Sequence, residues 1–198
     1  MDLFPSSQAD VLACRGDLRR RALAAREALA PAAREALTQR VIGHLENLLA
    51  TLSPQLLGFC WPYRGEPDLR AWIGRWLAAA PGRTAALPAA FEADRPLTFH
   101  SWVPGAEMAT DRHGIPVPAD GEDVVPEVVL VPLNAFDARG FRLGYGGGYF
   151  DRTLETLQAT AIGVGFELGR AATVFPQDHD RPMDWIVTEA GACAAVRD

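Results

Sequence analysis

Apolar residues recur at helical spacing in the first quarter of the chain and in short unbroken runs afterwards. Over 9–29, Val11, Leu12, Leu18, Leu23 and Leu29 stand among alanines and arginines, which predicts a moderately amphipathic helix. Pro31 suits the first turn of a second helix. Its face is marked by Leu37, Val41, Ile42, Leu45, Leu48 and Leu49, and Ser53-Pro54 ends it. Leu56 to Trp61 reads as a buried strand. Asp68 is placed to cap a helix running to about Ala79, with Leu69, Trp72, Ile73, Trp76 and Leu77 inward. Short strands are predicted at 84–87 and 97–103. Residues 104–126, with four prolines and three glycines, read as a long irregular connection, and such loops often carry function. Val128 to Val131 is the strongest strand, apolar on both faces as in a parallel, doubly covered sheet. A helix to about Leu157 and strands at 161–166 and 184–188 follow. Strands alternating with helices predict a layered α/β fold, here a single domain over 1–198 with a flexible start at 1–8.

Between the strand at 128–131 and the helix after it lies Gly140-Phe-Arg-Leu-Gly-Tyr-Gly-Gly-Gly-Tyr-Phe-Asp-Arg152, in which five of thirteen residues are glycine. Strand, glycine loop, helix start: this order aims bare N–H groups and the positive end of a helix dipole at a ligand, which suits phosphate. Arg142, Asp151 and Arg152 add phosphate-binding charge and a carboxylate for a hard metal ion, so ATP with Mg2+ is the first expectation. The loop matches neither G-x-x-x-x-G-K-[ST] nor G-x-G-x-x-G, since Tyr149 takes the last glycine position of the second.

Composition narrows the chemistry. The chain has 198 residues, 48 % hydrophobic and 22 % charged, with a net charge of −6, which argues against a general nucleic-acid binder. Cys14, Cys60 and Cys193 are scattered and fit a reducing cytosol. Neither a signal peptide nor a membrane-spanning run is expected, so the location expected is cytoplasmic. All 19 basic residues are arginine. A lysine P-loop and Schiff-base catalysis are therefore impossible, and cationic contacts to phosphate must come from a planar guanidinium.

Three further groups qualify. Arg15 and Arg19, four apart on one helical face, can reach a single polyphosphate or can simply be solvated. Trp61, Tyr63 and Glu66 stand at the end of a strand, where α/β sheets bind ligands. The two rings could stack on a flat ligand whose N–H donors Glu66 accepts; a plain aromatic core edge is the other reading. In 175–184, Asp180 and Asp184 are either solvated loop acids or carboxylates that reach Mg2+ opposite Asp151.

Together these residues resemble the 5-formyltetrahydrofolate cyclo-ligase family, also called methenyltetrahydrofolate synthetase. The resemblance is strongest over Val131-Pro-Leu-Asn-Ala-Phe-Asp137 and Gly140 to Arg152. It extends to Arg15-x-x-Leu18-Arg19, Glu66-Pro67-Asp68, Asp180-x-Pro182-x-Asp184 and Val187-Thr188. It implies a three-layer α/β/α fold with a mostly parallel central sheet. It also implies ATP- and Mg2+-dependent conversion of 5-formyltetrahydrofolate to 5,10-methenyltetrahydrofolate, ADP and phosphate through a phosphorylated formyl intermediate. Arg15 and Arg19 would contact ATP phosphates. Arg142, Gly144, Tyr145, Gly146, Gly147, Gly148, Tyr149 and Phe150 would wrap the nucleotide, with Arg142 and Tyr149 at the reacting groups. Tyr145 and Tyr149 would also face the folate beside Trp61, Tyr63 and Glu66, and Asp151 and Asp180 would hold the metal. A monomer or weak homodimer is expected, with neither nucleic acid nor membrane as partner. The chain departs from the family pattern at Arg15, Gly147, Val117 and Phe150, where lysine, lysine, glutamate and tyrosine are common. Two other readings stay open: a folate- or nucleotide-binding relative without catalysis, and an ATP-dependent enzyme acting on another formyl or pterin compound.

Overall fold

A computed structural model describes residues 7–196. The expected flexible start at 1–8 falls outside the described residues up to position 6; Ser7 already caps the first helix, its hydroxyl accepting from Asp10 N–H. Helix α1 (Gln8–Glu27) is followed by α2 (Pro31–Leu52), strand β1 (Leu56–Gly58), α3 (Arg70–Ala78), β2 (Thr84–Ala89) and β3 (Thr98–Trp102). Then come β4 (Met108–Thr110), β5 (Pro116–Pro118), β6 (Val128–Pro132), β7 (Ala135–Phe136) and β8 (Arg142–Leu143). The chain closes with α4 (Tyr149–Thr156), β9 (Thr160–Val164), β10 (Trp185–Thr188) and β11 (Gly191–Ala194). Among the described residues no helix is long and apolar enough to cross a membrane.

The main sheet has the order β11-β10-β9-β6-β1-β2-β3. Its five inner strands are parallel, and the antiparallel β3 and β11 close the edges. Alternate residues of β6 face opposite layers, as the period of a strand requires. Val128 and Leu130 pack with α2 and α3 through Leu45, Leu49, Ile73 and Trp76. Val129 and Val131 pack on the other face, where Phe150, Leu154 and Leu157 of and after α4 lie. The result is α/β/α with the sheet in the middle, as expected.

Three predicted elements are corrected. The connection over 104–126 is not wholly irregular: β4 and β5 pair antiparallel, Met108 opposite Pro118 and Thr110 opposite Pro116. Proline is compatible with such an isolated two-stranded ribbon because outward N–H groups need no ladder partner. Asp68 does not cap α3 at N-cap, which is Leu69; its carboxylate is shared between Arg70 N–H and the Arg70 guanidinium. The buried side of α1 is not its leucine stripe. Leu12 is 55 % exposed, while the buried residues are Arg15, Ala22 and Arg26.

From β2 the parallel order runs β2-β1-β6-β9-β10, so the chain reverses its direction of winding between β1 and β6. Adjacent crossovers leave to opposite faces there and open a crevice at the strands' carboxyl ends, where open α/β sheets take their ligands. The segment after β1 carries Trp61 to Glu66. The one after β6 turns through the β7–β8 hairpin, Ala135 opposite Leu143, into the glycine loop.

Candidate functional site

The loop is built by its own chemistry. Asp137, 1 % exposed, accepts Arg139 and Phe141 N–H on Oδ1 and Val174 N–H on Oδ2, which fixes the β7–β8 turn. That turn presents Arg142 at the base of the loop. Gly146 and Gly148 adopt φ of 96° and 65°, a region that β-carbon-bearing residues rarely enter. Gly148 is the N-cap of α4, and no side chain caps the helix. The N–H groups of its first turn are thus left for a ligand, and the helix dipole favours an anion.

Arg19 reaches this loop from α1. Its Nε donates to Gly144 C=O at 2.7 Å, and its guanidinium lies over Gly146. Among the described residues no carboxylate pairs with it. Burial, then the neighbouring Arg15 charge, pulls its pKa below the usual arginine value, with Asp180 opposing. An anion placed here would relieve both costs.

Arg15, by contrast, is spent. It is buried, and its two Nη atoms grip Asp180 at 2.6 and 3.0 Å while Nη1 also donates to Phe175 C=O. Burial pushes the Asp180 carboxyl up, but the hydrogen bonds from Arg15 and Gln177 N–H, with the charges of Arg15 and His179, outweigh it and leave it below the usual range. Arg142 donates through Nη1 to Asp151 Oδ1 at 2.9 Å and to Arg181 C=O, and its buried Nε has no partner among the described residues. Asp151 Oδ1 also accepts Arg181 N–H. Asp184 lies elsewhere: its carboxylate accepts Ala161 N–H, and it stands just before β10, at the opposite end of the sheet.

No cluster of three or more metal-ligating side chains occurs among the described residues. Magnesium needs only one or two carboxylates when phosphates and water complete its shell. Asp151 fits that demand, since both of its hydrogen bonds use Oδ1 and leave Oδ2 open. Asp180 fits it only when Arg15 lets go, because both its oxygens are engaged.

The aromatic half of the site lies at the start of the loop. Tyr145, 43 % exposed, stands edge-on to Tyr63 with ring centroids 5.5 Å apart. Its hydroxyl donates to Glu66 Oε1 at 2.8 Å, and Glu66 Oε2 accepts Tyr63 N–H at 3.0 Å. Glu66 is 7 % exposed. Burial raises its pKa, with Arg26, Tyr145 and the Tyr63 amide acting the other way. Trp61 is half-buried beneath the Arg70 guanidinium, 4.5 Å from its ring centre.

Tyr149 and Phe150 diverge from Tyr145. The Tyr149 hydroxyl meets His113 Nε2 at 3.0 Å, on the β4–β5 hairpin, and Arg152 lies over its ring. Phe150 turns its ring into the core beneath the sheet, so only its main chain can face the loop. Sequence reasoning missed His113 and Arg26. Nothing in the sequence marks His113, which depends on a hairpin hidden among prolines. Arg26 had a signal: Arg15, Arg19, Ala22 and Arg26 recur at i, i+4, i+7 and i+11, one face of a helix.

An open, mainly parallel sheet with an uncapped helix start and a buried acid at its switch point defines an α/β protein of the kind that takes ligands at the carboxyl ends of its strands. The chain belongs to the 5-formyltetrahydrofolate cyclo-ligase family, whose sequence model matches residues 12–189. It is 29 % identical over 174 residues to the 5-formyltetrahydrofolate cyclo-ligase of Escherichia coli strain K12, covering 82 % of this chain and 93 % of that one. It is 26 % identical over 155 residues to the Haemophilus influenzae protein of the same name, covering 73 % and 81 %. The NMR structure of Aquifex aeolicus 5,10-methenyltetrahydrofolate synthetase superposes with a TM-score of 0.77 at 27 % identity, over 93 % of this chain and 94 % of the other. A Mycoplasma pneumoniae synthetase shares the fold, with a TM-score of 0.71 at 21 % identity over 88 % and 98 %.

Proposed function

We propose that this chain converts 5-formyltetrahydrofolate to 5,10-methenyltetrahydrofolate, consuming ATP with Mg2+ and releasing ADP and phosphate. The observation that carries this reading is the meeting of two unlike subsites at one switch point. Glu66 offers a buried carboxylate beside the exposed rings of Tyr63 and Tyr145, which suits the N–H edge of a reduced pterin. Arg19, the loop amides and the uncapped α4 offer an unpaired cation and aligned donors, which suits a polyphosphate. Family membership supplies the substrate class.

The chemistry asks little of the protein beyond placement and charge. The formyl oxygen bonds to the γ-phosphorus as the bond to ADP breaks. N10 then attacks the formyl carbon, loses its proton, and the carbon–oxygen bond breaks to release phosphate. No protein nucleophile is required. Arg19 and Arg142 neutralise charge on the transferring group, and the loop amides hold it in line. Mg2+ at Asp151 Oδ2 would supply further neutralisation. The Arg15–Asp180 pair stores a matched cation and carboxylate. With magnesium-ATP bound, Arg15 would be free to hold a phosphate and the Asp180 carboxylate to hold the metal.

The test is spectrophotometric: purified protein with both substrates and Mg2+ should generate the absorbance of the methenyl product, with matching ADP release. Absence of product overturns the catalytic reading. Calorimetric binding of 5-formyltetrahydrofolate without ADP release would select a binding relative instead.

A further inference from the structure

Arg26 sits in the last turn of α1, only 2 % exposed, and every hydrogen bond its side chain makes goes to a segment that frames the crevice. Its Nε donates to Arg64 C=O at 3.0 Å, on the segment after β1. Nη1 donates to Leu133 C=O at 3.3 Å, on the segment after β6. Nη2 donates to the Tyr145 hydroxyl at 2.6 Å and lies 3.9 Å from Glu66 Oε1. A phenol has one proton, and Glu66 Oε1 at 2.8 Å is a far nearer acceptor than Tyr63 C=O at 3.5 Å, so the hydroxyl that accepts from Arg26 points its hydrogen at Glu66. The order Arg26, Tyr145, Glu66 is therefore directional.

We propose that Arg26 is a positioning residue for the folate subsite: it keeps the Glu66 carboxylate charged and orients Tyr145 against it, so that Glu66 meets the ligand as an acceptor and not as a donor. This rests on the folate reading above. The physical problem is that Glu66 is buried, and burial favours the neutral acid. A neutral Glu66 would offer a hydroxyl where a pterin N–H needs an acceptor. The charged and titratable groups facing Glu66 are few. Arg26 comes from α1 and Tyr145 from the glycine loop. Cys60 lies at the end of β1, its thiol held well above the ordinary range by burial and then by Glu66 itself. Arg64, beside it, is turned outward to Glu27. Arg26 is the one buried cation in that set.

The test measures 5-formyltetrahydrofolate binding by calorimetry, without ATP, from about pH 6 to about pH 9. Wild type and Glu66→Gln come first. Equal affinity in both sinks the folate reading itself, whatever Arg26 does. With that reading standing, Arg26→Met should bind about tenfold or more weakly near neutral pH and recover toward alkaline pH, where Glu66 ionises unaided. In the Glu66→Gln background the same Arg26→Met change should cost nothing further and show no pH dependence. An equal loss in both backgrounds at every pH overturns the inference, because packing alone would behave that way. If Arg26→Met fails to fold, two milder variants carry the question. Arg26→Lys keeps the charge without the fork, and Arg26→Gln keeps donors without the charge. A wild-type pH profile for the lysine variant beside a shifted one for the glutamine variant upholds the proposal; identical or reversed profiles refute it.

Discussion

Arg19 and Arg15 share a helix face, a charge and a spacing, yet they are in opposite states. Arg15 has its carboxylate; Arg19 has a carbonyl and a glycine. A charge-assisted hydrogen bond to an anion contributes about 1.5–3 kcal/mol. Arg19→Ala should therefore raise the KM for ATP by roughly 10- to 100-fold, with the melting temperature little changed, as steady-state kinetics and thermal unfolding would show. Asp151 makes the complementary case. Asp151→Asn keeps a neutral acceptor toward Arg142 but loses the anionic oxygen that Mg2+ needs. Turnover should be abolished while circular dichroism stays native; an unchanged rate would remove Asp151 from the metal site. At this scale the sequence was readable for loop residues, since glycine at 146 and 148 and the arginines around them carry their physics in their identity. Arg26 was legible only as a spacing, seven residues beyond Arg19 on one helix face, because hydrophobic periodicity does not mark an arginine that is buried by its partners rather than by its own apolarity.

Elements were legible in proportion to their apolar content. Helix α2 and strand β6 came out close to their true bounds because unbroken or periodic apolar residues leave one way to hide them. The β4–β5 ribbon, the two-residue strands β7 and β8, and β11 did not. Each is short, and β11 is Gly-Ala-Cys-Ala, with no bulky side chain to signal a buried face. The strength of β6 has a measurable side. Leu130 is 2 % exposed in the layer between sheet, α2 and α3. Leu130→Ala should lower unfolding free energy by about 2–5 kcal/mol, read from urea denaturation. Its expected effect on KM is small, because the layer lies beneath the sheet and not at its carboxyl edge.

Across the whole molecule, the Arg15–Asp180 pair ties the first helix to the segment that precedes β10, 165 residues away in sequence. Its pH signature follows from the direction of the Asp180 shift. A carboxyl held below its unfolded value contributes stability that is present above the unfolded pKa and is lost as pH falls through the folded one. Unfolding free energy should thus decline as pH drops below about 4. Asp180→Asn should cost about 2 kcal/mol near neutral pH and flatten that acid limb, so that the two curves converge in acid. Curves that stay parallel would show that Asp180 is not the titrating group.

Helix α1 carries Arg19 to the glycine loop and Arg26 to Glu66, seven residues apart along one rigid rod. Seven residues rise about 10 Å in an α-helix and return nearly to the same face. The separation between the two halves of the crevice is therefore gauged by a single element, whose pitch cannot stretch. Loops can vary around it without changing the distance between the glycine loop and Glu66. A residue inserted between those two arginines would swing one of them about 100° around the helix axis, away from the partners it holds.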